Sequence, residues 1–122
     1  GILNQRGRSA PAVMKLGRAA GLIKRMSVFT NQTYQAVFLS FAEGLLAAEA
    51  VNPDIGESKE EMEVAYSGDT VQTHFNSRYL LDALQSVGWG DDVTLAPTGA
   101  AGPLFVTGAD PAYVGCVMPM RI

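Results

Sequence analysis

The sequence predicts an α+β domain with two helices on one side of antiparallel sheets, and three observations carry that prediction. A strongly marked helix lies within His74 to Val87. A weaker one, Arg18 to Met26, precedes it, and shifting Leu22 to Met26 by 61 residues lands on Ala83 to Val87 with the apolar positions superposed. Short strand-like segments bounded by turn residues surround each helix, so the order strand, helix, strand, strand, strand occurs twice, as an internal pseudo-repeat.

The marked helix starts where Asn76 or Ser77 can accept hydrogen bonds from first-turn amides that have no partner inside the helix. Tyr79, Leu80, Ala83, Leu84 and Val87 recur at helical spacing and predict one apolar face, with Arg78, Asp82, Gln85 and Ser86 on the other. Gly88-Trp89-Gly90 ends it, because glycine takes the left-handed conformation that a helix terminus needs. In the earlier helix Ala19, Leu22, Ile23 and Met26 form the apolar side and Arg18, Lys24 and Arg25 the polar one. Gly21 costs that helix about 1 kcal/mol relative to alanine, so packing must hold it.

Residues 1–12, with Gly7, Ser9, Pro11 and two arginines, read as an arm or linker, and residues 13–122 as the domain. Val13 to Leu16 is extended, and after a turn at Thr30 to Thr33 a hairpin joins Gln35 to Ala42 and Leu45 to Val51 about Glu43-Gly44. Asn52 to Lys59 reads as a polar loop, Glu61 to Tyr66 as a half-buried strand closed by Ser67-Gly68-Asp69, and Thr70 to Phe75 as the strand before the marked helix. Val93 to Pro97, Pro103 to Thr107 and Ala112 to Met120 complete the set, with turns at Thr98 to Gly102 and Gly108 to Pro111.

A chain of 122 residues buries one core. No run of about 18 apolar residues is available to span a membrane, and no basic-then-apolar start suggests secretion, so an intracellular, cytoplasmic protein is expected. The single Cys116 fits a reducing compartment and excludes an internal disulfide or a cysteine-based zinc site. Asn31-Gln32-Thr33 matches a glycosylation acceptor by chance in that setting, and Gly1 in place of an initiator methionine suggests an excised piece. The net charge of −3 hides an asymmetry: +6 with no acid up to Ala42, then −9 from Glu43 onward. That pattern provides one surface for polyanions and another for a basic partner, or else two unevenly solvated faces.

The inventory for catalysis is thin. His74 sits in a strand beside Phe75 and reads as a structural residue, and Asp91-Asp92 make a turn more simply than a cation site. Gly99-Ala100-Ala101-Gly102-Pro103 precedes a strand and lacks the lysine of a phosphate cradle. Cys116 has no basic neighbour in sequence and is expected to pack as a small apolar residue. No enzyme, cofactor or metal is expected.

The segment Phe75-Asn76-Ser77-Arg78-Tyr79-Leu80-Leu81-Asp82-Ala83-Leu84, the earlier Asn52-Pro53-Asp54 and Tyr66-Ser67-Gly68, and the terminal Val117-Met118-Pro119-Met120-Arg121-Ile122 resemble one family. That family is the bacterial sliding clamp, the β subunit of DNA polymerase III, in its carboxy-terminal third. The resemblance runs from about Val13 to the last residue, and the terminal Met-Pro-Met-Arg is its most specific sign. It implies the DNA-clamp fold, one of three such domains in a subunit, two subunits closing head to tail around duplex DNA.

By the same resemblance Arg18, Lys24, Arg25 and Arg78 face DNA without selecting sequence. Ala101, Pro103, Val117, Met118, Pro119, Met120 and Arg121 border a groove for the short linear peptides of DNA polymerase III and clamp loader subunits. Methionine suits such a groove because it is flexible and polarizable. Gly99 to Gly102 departs from the family's pattern, and the groove's other wall belongs to a preceding domain, so binding should be weak. Val28, Phe29, Glu57, Glu60 and Glu61 fall at the subunit interface, although Val28-Phe29 could equally be covered within the domain. Rival readings are a clamp-like interaction module that does not slide on DNA, and a small enzyme using His74 with Asp91 or Asp92.

Overall fold

The computed structural model describes residues 10–30, 35–88 and 90–120. Most of the expected arm, residues 31–33 of the expected turn together with Tyr34, Trp89 and Arg121 lie outside the described residues. In order come strand β1 (Ala12–Lys15), helix α1 (Leu16–Phe29), strands β2 (Ala36–Ala42), β3 (Leu45–Asn52), β4 (Gly56–Glu63) and β5 (Val71–Asn76), helix α2 (Ser77–Ser86), and strands β6 (Asp92–Pro97), β7 (Leu104–Thr107), β8 (Gly115–Val117) and β9 (Pro119–Met120). The doubled order is present, and α1 and α2 begin 61 residues apart. Ala19, Ile23 and Met26 superpose by that offset on Leu80, Leu84 and Val87, and all six are buried.

The two halves interlock. One antiparallel sheet has the order β1-β6-β7-β8 and the other β4-β3-β2-β5-β9. Each half's leading strand therefore completes the other half's sheet: Met14 of β1 stands opposite Val93 of β6, and Phe75 of β5 opposite Val37 of β2. Neither half pairs its leading strand within itself. The exchange is tied off at both ends. Val13 and Ala65 trade backbone hydrogen bonds of 3.0 Å just past β4, and beyond β8 the chain crosses at Met118 to pair as β9 on β5. Phe41, Leu39 and Phe75 from one sheet, Leu95 and Leu104 from the other, and Ile23, Met26, Leu80 and Leu84 from the helices meet in one core.

Helix α1 extends beyond Arg18 to Met26 at both ends because its termini are satisfied from a distance. Lys15 supplies no side-chain cap; the Leu16 amide instead donates to the Asp91 carbonyl at 2.8 Å. At the other end Asn52 Nδ2 donates to the Phe29 carbonyl at 2.9 Å, while its Oδ1 accepts from the Asp54 amide at 3.0 Å. Asn52 thus orders its own turn and pins the helix. In α2 the cap is Asn76, whose Oδ1 accepts from the Arg78 and Tyr79 amides at 2.9 and 3.2 Å. Ser77 is fully buried, its amide donating to the Gln35 carbonyl at 2.7 Å. Gly88 follows with φ 84°, a conformation that favours glycine.

Four local expectations are corrected. The polar loop Asn52 to Lys59 is mostly strand: β4 starts at Gly56 and is an edge strand whose residues alternate between exposed and half-buried, so no apolar period announces it. That strand also stops at Glu63, while Val64 and Tyr66 stay buried through bonds to Gly44. Tyr79 leaves the apolar face of α2 and is 67% exposed. The strand expected over Ala112 to Met120 is split in two, because its residues serve different sheets.

Arg25 ties α1 to β4, its Nε and Nη2 donating to the Glu60 carboxylate at 2.8–3.0 Å. These hydrogen bonds hold the Glu60 carboxyl below its ordinary range. The pair's contribution is then present above the ordinary carboxylate range and lost as pH falls through the lowered Glu60 value. Urea titrations of wild type and Glu60→Gln should differ at about pH 7 and converge as pH falls below the carboxylate range; a gap independent of pH would exclude the charge pair as its source. Asn52→Ala should lower stability by about 0.5–1.5 kcal/mol, because it leaves a part-buried helix carbonyl unpaired. Asn52→Asp should also destabilise, since it keeps the acceptor but loses the donor; wild-type melting of both variants would show that the pin is idle.

Candidate functional site

Three surface depressions gather the candidate residues. The first lies beside the sheet crossing at Met118 and has a volume of about 440 Å³. Its lining comes from the start of α2, through Asn76 and Tyr79, and from the terminal segment Cys116 to Met120. Val117 turns into the core at 4% exposure, whereas Met118 is 61% exposed at the gap between β8 and β9. The Tyr113 hydroxyl donates to the Ala83 carbonyl at 2.9 Å and so anchors the loop before β8 to α2. The surface is largely apolar, made of a phenol, a thiol, two thioethers and a proline, with the Asn76 amide at its edge.

Ala101 and Pro103 do not line this groove. Ala101 is exposed in the turn before β7, a turn closed by a 2.8 Å hydrogen bond from the Thr98 hydroxyl to the Pro103 carbonyl. Pro103 immediately precedes Leu104, which stands opposite Val117, so both border the same end of the sheet without reaching the depression. Arg121 lies outside the described residues. Asn76, Tyr79 and Cys116 were missed. Cys116 is exposed, correcting its expected packing, and Tyr79 three residues after the Asn76 cap was read as core from its helical spacing alone.

The four basic candidates stand in two places. Lys24 and Arg78 line a shallow groove of about 240 Å³ between the helices, together with Ser27, Val28, Leu81, Asp82 and Gln85. Arg18 and Arg25 line a separate cleft of about 710 Å³ between α1 and β4, beside Glu60, Glu61 and Glu63. Arg25, a DNA-facing candidate, and Glu60, an interface candidate, are thus partners in one ion pair. Glu61 lies 3.9 Å from Lys59, and Glu57 is exposed near the start of β4. The apolar pair also divides: Val28 is 78% exposed in the interhelical groove, while Phe29 is half-buried against the core.

His74 packs against Phe38 in one sheet, whereas Asp92 pairs with Lys15 at 3.1 Å in the other, so the histidine and the acids do not form a common site. Among the described residues no three His, Cys, Asp or Glu side chains converge as metal ligands, and no helix is long and apolar enough to cross a membrane.

Residues 7–121 match the family model described as DNA polymerase III beta subunit, C-terminal domain. The beta sliding clamp of Pseudomonas aeruginosa is 36% identical over 101 residues, covering 80% of this chain and 27% of the relative, and that of Escherichia coli is 32% identical over the same coverage. The chain thus spans about a quarter of the length of the curated relatives it matches. The crystal structure of the Pseudomonas aeruginosa subunit superposes with a TM-score of 0.85 at 29% identity, over 94% of this chain and 31% of that one. A Bartonella birtlesii sliding clamp bound to griselimycin also superposes with a TM-score of 0.85, at 26% identity over 95% of this chain and 31% of that one. With the doubled strand and helix order, the interlocked sheets and the terminal Met-Pro-Met all in agreement, the chain belongs to the C-terminal domain family of the DNA polymerase III beta subunit, the bacterial sliding clamp.

Proposed function

We propose that this chain serves as one domain of a cytoplasmic replicative clamp, a processivity factor and not a catalyst. In a larger subunit, residues 13–122 form the carboxy-terminal domain and residues 1–12 an arm. Two subunits close head to tail around duplex DNA, and the terminal-strand groove holds short peptides of DNA polymerase III and the clamp loader. The observation that carries this reading is the crossing at Met118, which leaves Met118, Met120 and Tyr79 around one apolar groove. A flexible thioether surface accepts several apolar side chains with little reorganisation.

Lys24 and Arg78 supply the DNA-facing charge with Arg18 in support, offsetting phosphates without reading bases. Arg25 is already neutralised by Glu60. The open edge of β4, with Glu57 and Glu61, and the exposed Val28 meet the second subunit. The enclosure of Arg18 and Arg25 by Glu60, Glu61 and Glu63 favours a second reading, a clamp-like interaction module that does not slide on DNA.

Titrating the isotope-labelled chain with a Gln-Leu-Ser-Leu-Phe peptide should move the amides of Tyr79, Cys116, Met118 and Met120 saturably, with a Kd on the order of 1 mM for this half-groove. Shifts scattered elsewhere, or none at all, would remove the groove assignment. Duplex binding at low salt separates the two readings. Lys24→Ala and Arg78→Ala should each flatten the plot of log affinity against log salt by about 0.9, Arg25→Ala should change it less, and Glu60→Gln should steepen it. Identical slopes for all four variants would favour the module without DNA contact.

A further inference from the structure

A transverse row crosses the outward face of the five-stranded sheet. Phe38 stands opposite His74, and His74 opposite Met120, and directly paired residues project to the same side of a sheet. The strand neighbours Val37, Leu39 and Phe75 are buried, so the row faces away from the core. The Phe38 and His74 rings lie with centroids 4.7 Å apart and planes inclined by 47°, and together they form one half-buried aromatic surface.

This surface is continuous with the terminal groove. Met120 belongs to both, and Asn76, the next outward residue of β5 after His74, also lines the groove. Polar side chains border the pair: Gln72 is bonded to Ser40 at 3.2 Å, and Glu49 stands opposite Phe38 on its other side. The apolar area is therefore narrow. Two rings and a thioether match one side chain and fall far short of the roughly 800 Å² per partner of a stable protein interface.

We propose that the docking surface continues past Met120 onto a second apolar subsite formed by Phe38 and His74, which takes an aromatic side chain flanking the anchor of the same extended peptide. The proposal rests on the reading of the terminal groove as a peptide site. Phe38 lies two strand spacings from Met120, about 10 Å, which an extended peptide covers in about three residues. The flanking side chain therefore comes about three residues beyond the anchored end of the peptide.

The test compares a Gln-Leu-Ser-Leu-Phe peptide with forms extended at either end by two glycines and a terminal Trp, each against the same extension ending in Ala. For the wild-type chain, the Trp form in one of the two directions should bind about three- to tenfold tighter than its Ala counterpart, the range of an aromatic pair. That gain should disappear in Phe38→Thr and fall in His74→Gln, while the affinity of the unextended peptide stays the same in both. Equal binding of the Trp and Ala forms, or a gain that survives both substitutions, overturns the subsite and leaves the groove standing. Failure of the unextended peptide and of every extended form to bind overturns the groove and the subsite together.

Discussion

The backbone pairing of β1 with β6 and of β5 with β2 is the constraint on which the rest of this molecule depends. Because each half lends its first strand to the other, the sheets cannot close independently and the helices that follow those strands are brought side by side. Buried amides and carbonyls must be paired, so the exchange is enforced by the cost of leaving strand edges open inside the domain. One cooperative unit results from a sequence written as two.

The same exchange generates the surface clefts. Where the first half ends, Ala65 bridges to Val13, and a cleft opens between α1 and β4; where the second half ends, β9 joins β5, and a groove opens between α2 and the terminal segment. The two are counterparts. Arg18 in the first cleft and Tyr79 in the second occupy positions 61 residues apart. What separates them is chemistry: arginines among glutamates in one, a phenol among thioethers in the other. A charged cleft holds its geometry through ion pairs such as Arg25 with Glu60, whereas the apolar one leaves side chains free to adapt to a ligand.

Charge placement follows from this geometry more than from composition. The basic first half suggested one cationic surface, but helical phase sends Arg18 and Arg25 towards the acidic edge strand and Lys24 towards α2 and Arg78. Residues seven apart lie within about 20° of each other around a helix, whereas those six apart differ by about 120°. Of the expected surface, Arg25 is therefore compensated within the domain by Glu60.

Much of the architecture was legible because its signals are local. The Asn76 cap, the buried period of α2 and the Glu43-Gly44 turn each depend on neighbours a few positions away, the 61-residue repeat compares two such local patterns, and the terminal Met-Pro-Met marked its segment by residue type. Strand β4 was hidden because an edge strand wetted on its outer face needs no apolar alternation, and the length of α1 because Asp91 and Asn52, far away in sequence, complete its ends. Sequence by itself determined the two helices, most of the strands, their doubled order and the family. Only the tertiary structure decided that the last strand changes sheets at Met118, that Tyr79 and Cys116 join the groove while Ala101 and Pro103 stay outside it, and that Arg25 is held by Glu60. Those outcomes depend on which backbone edges meet across the fold, and long-range pairing leaves no periodic trace in either of the segments it joins.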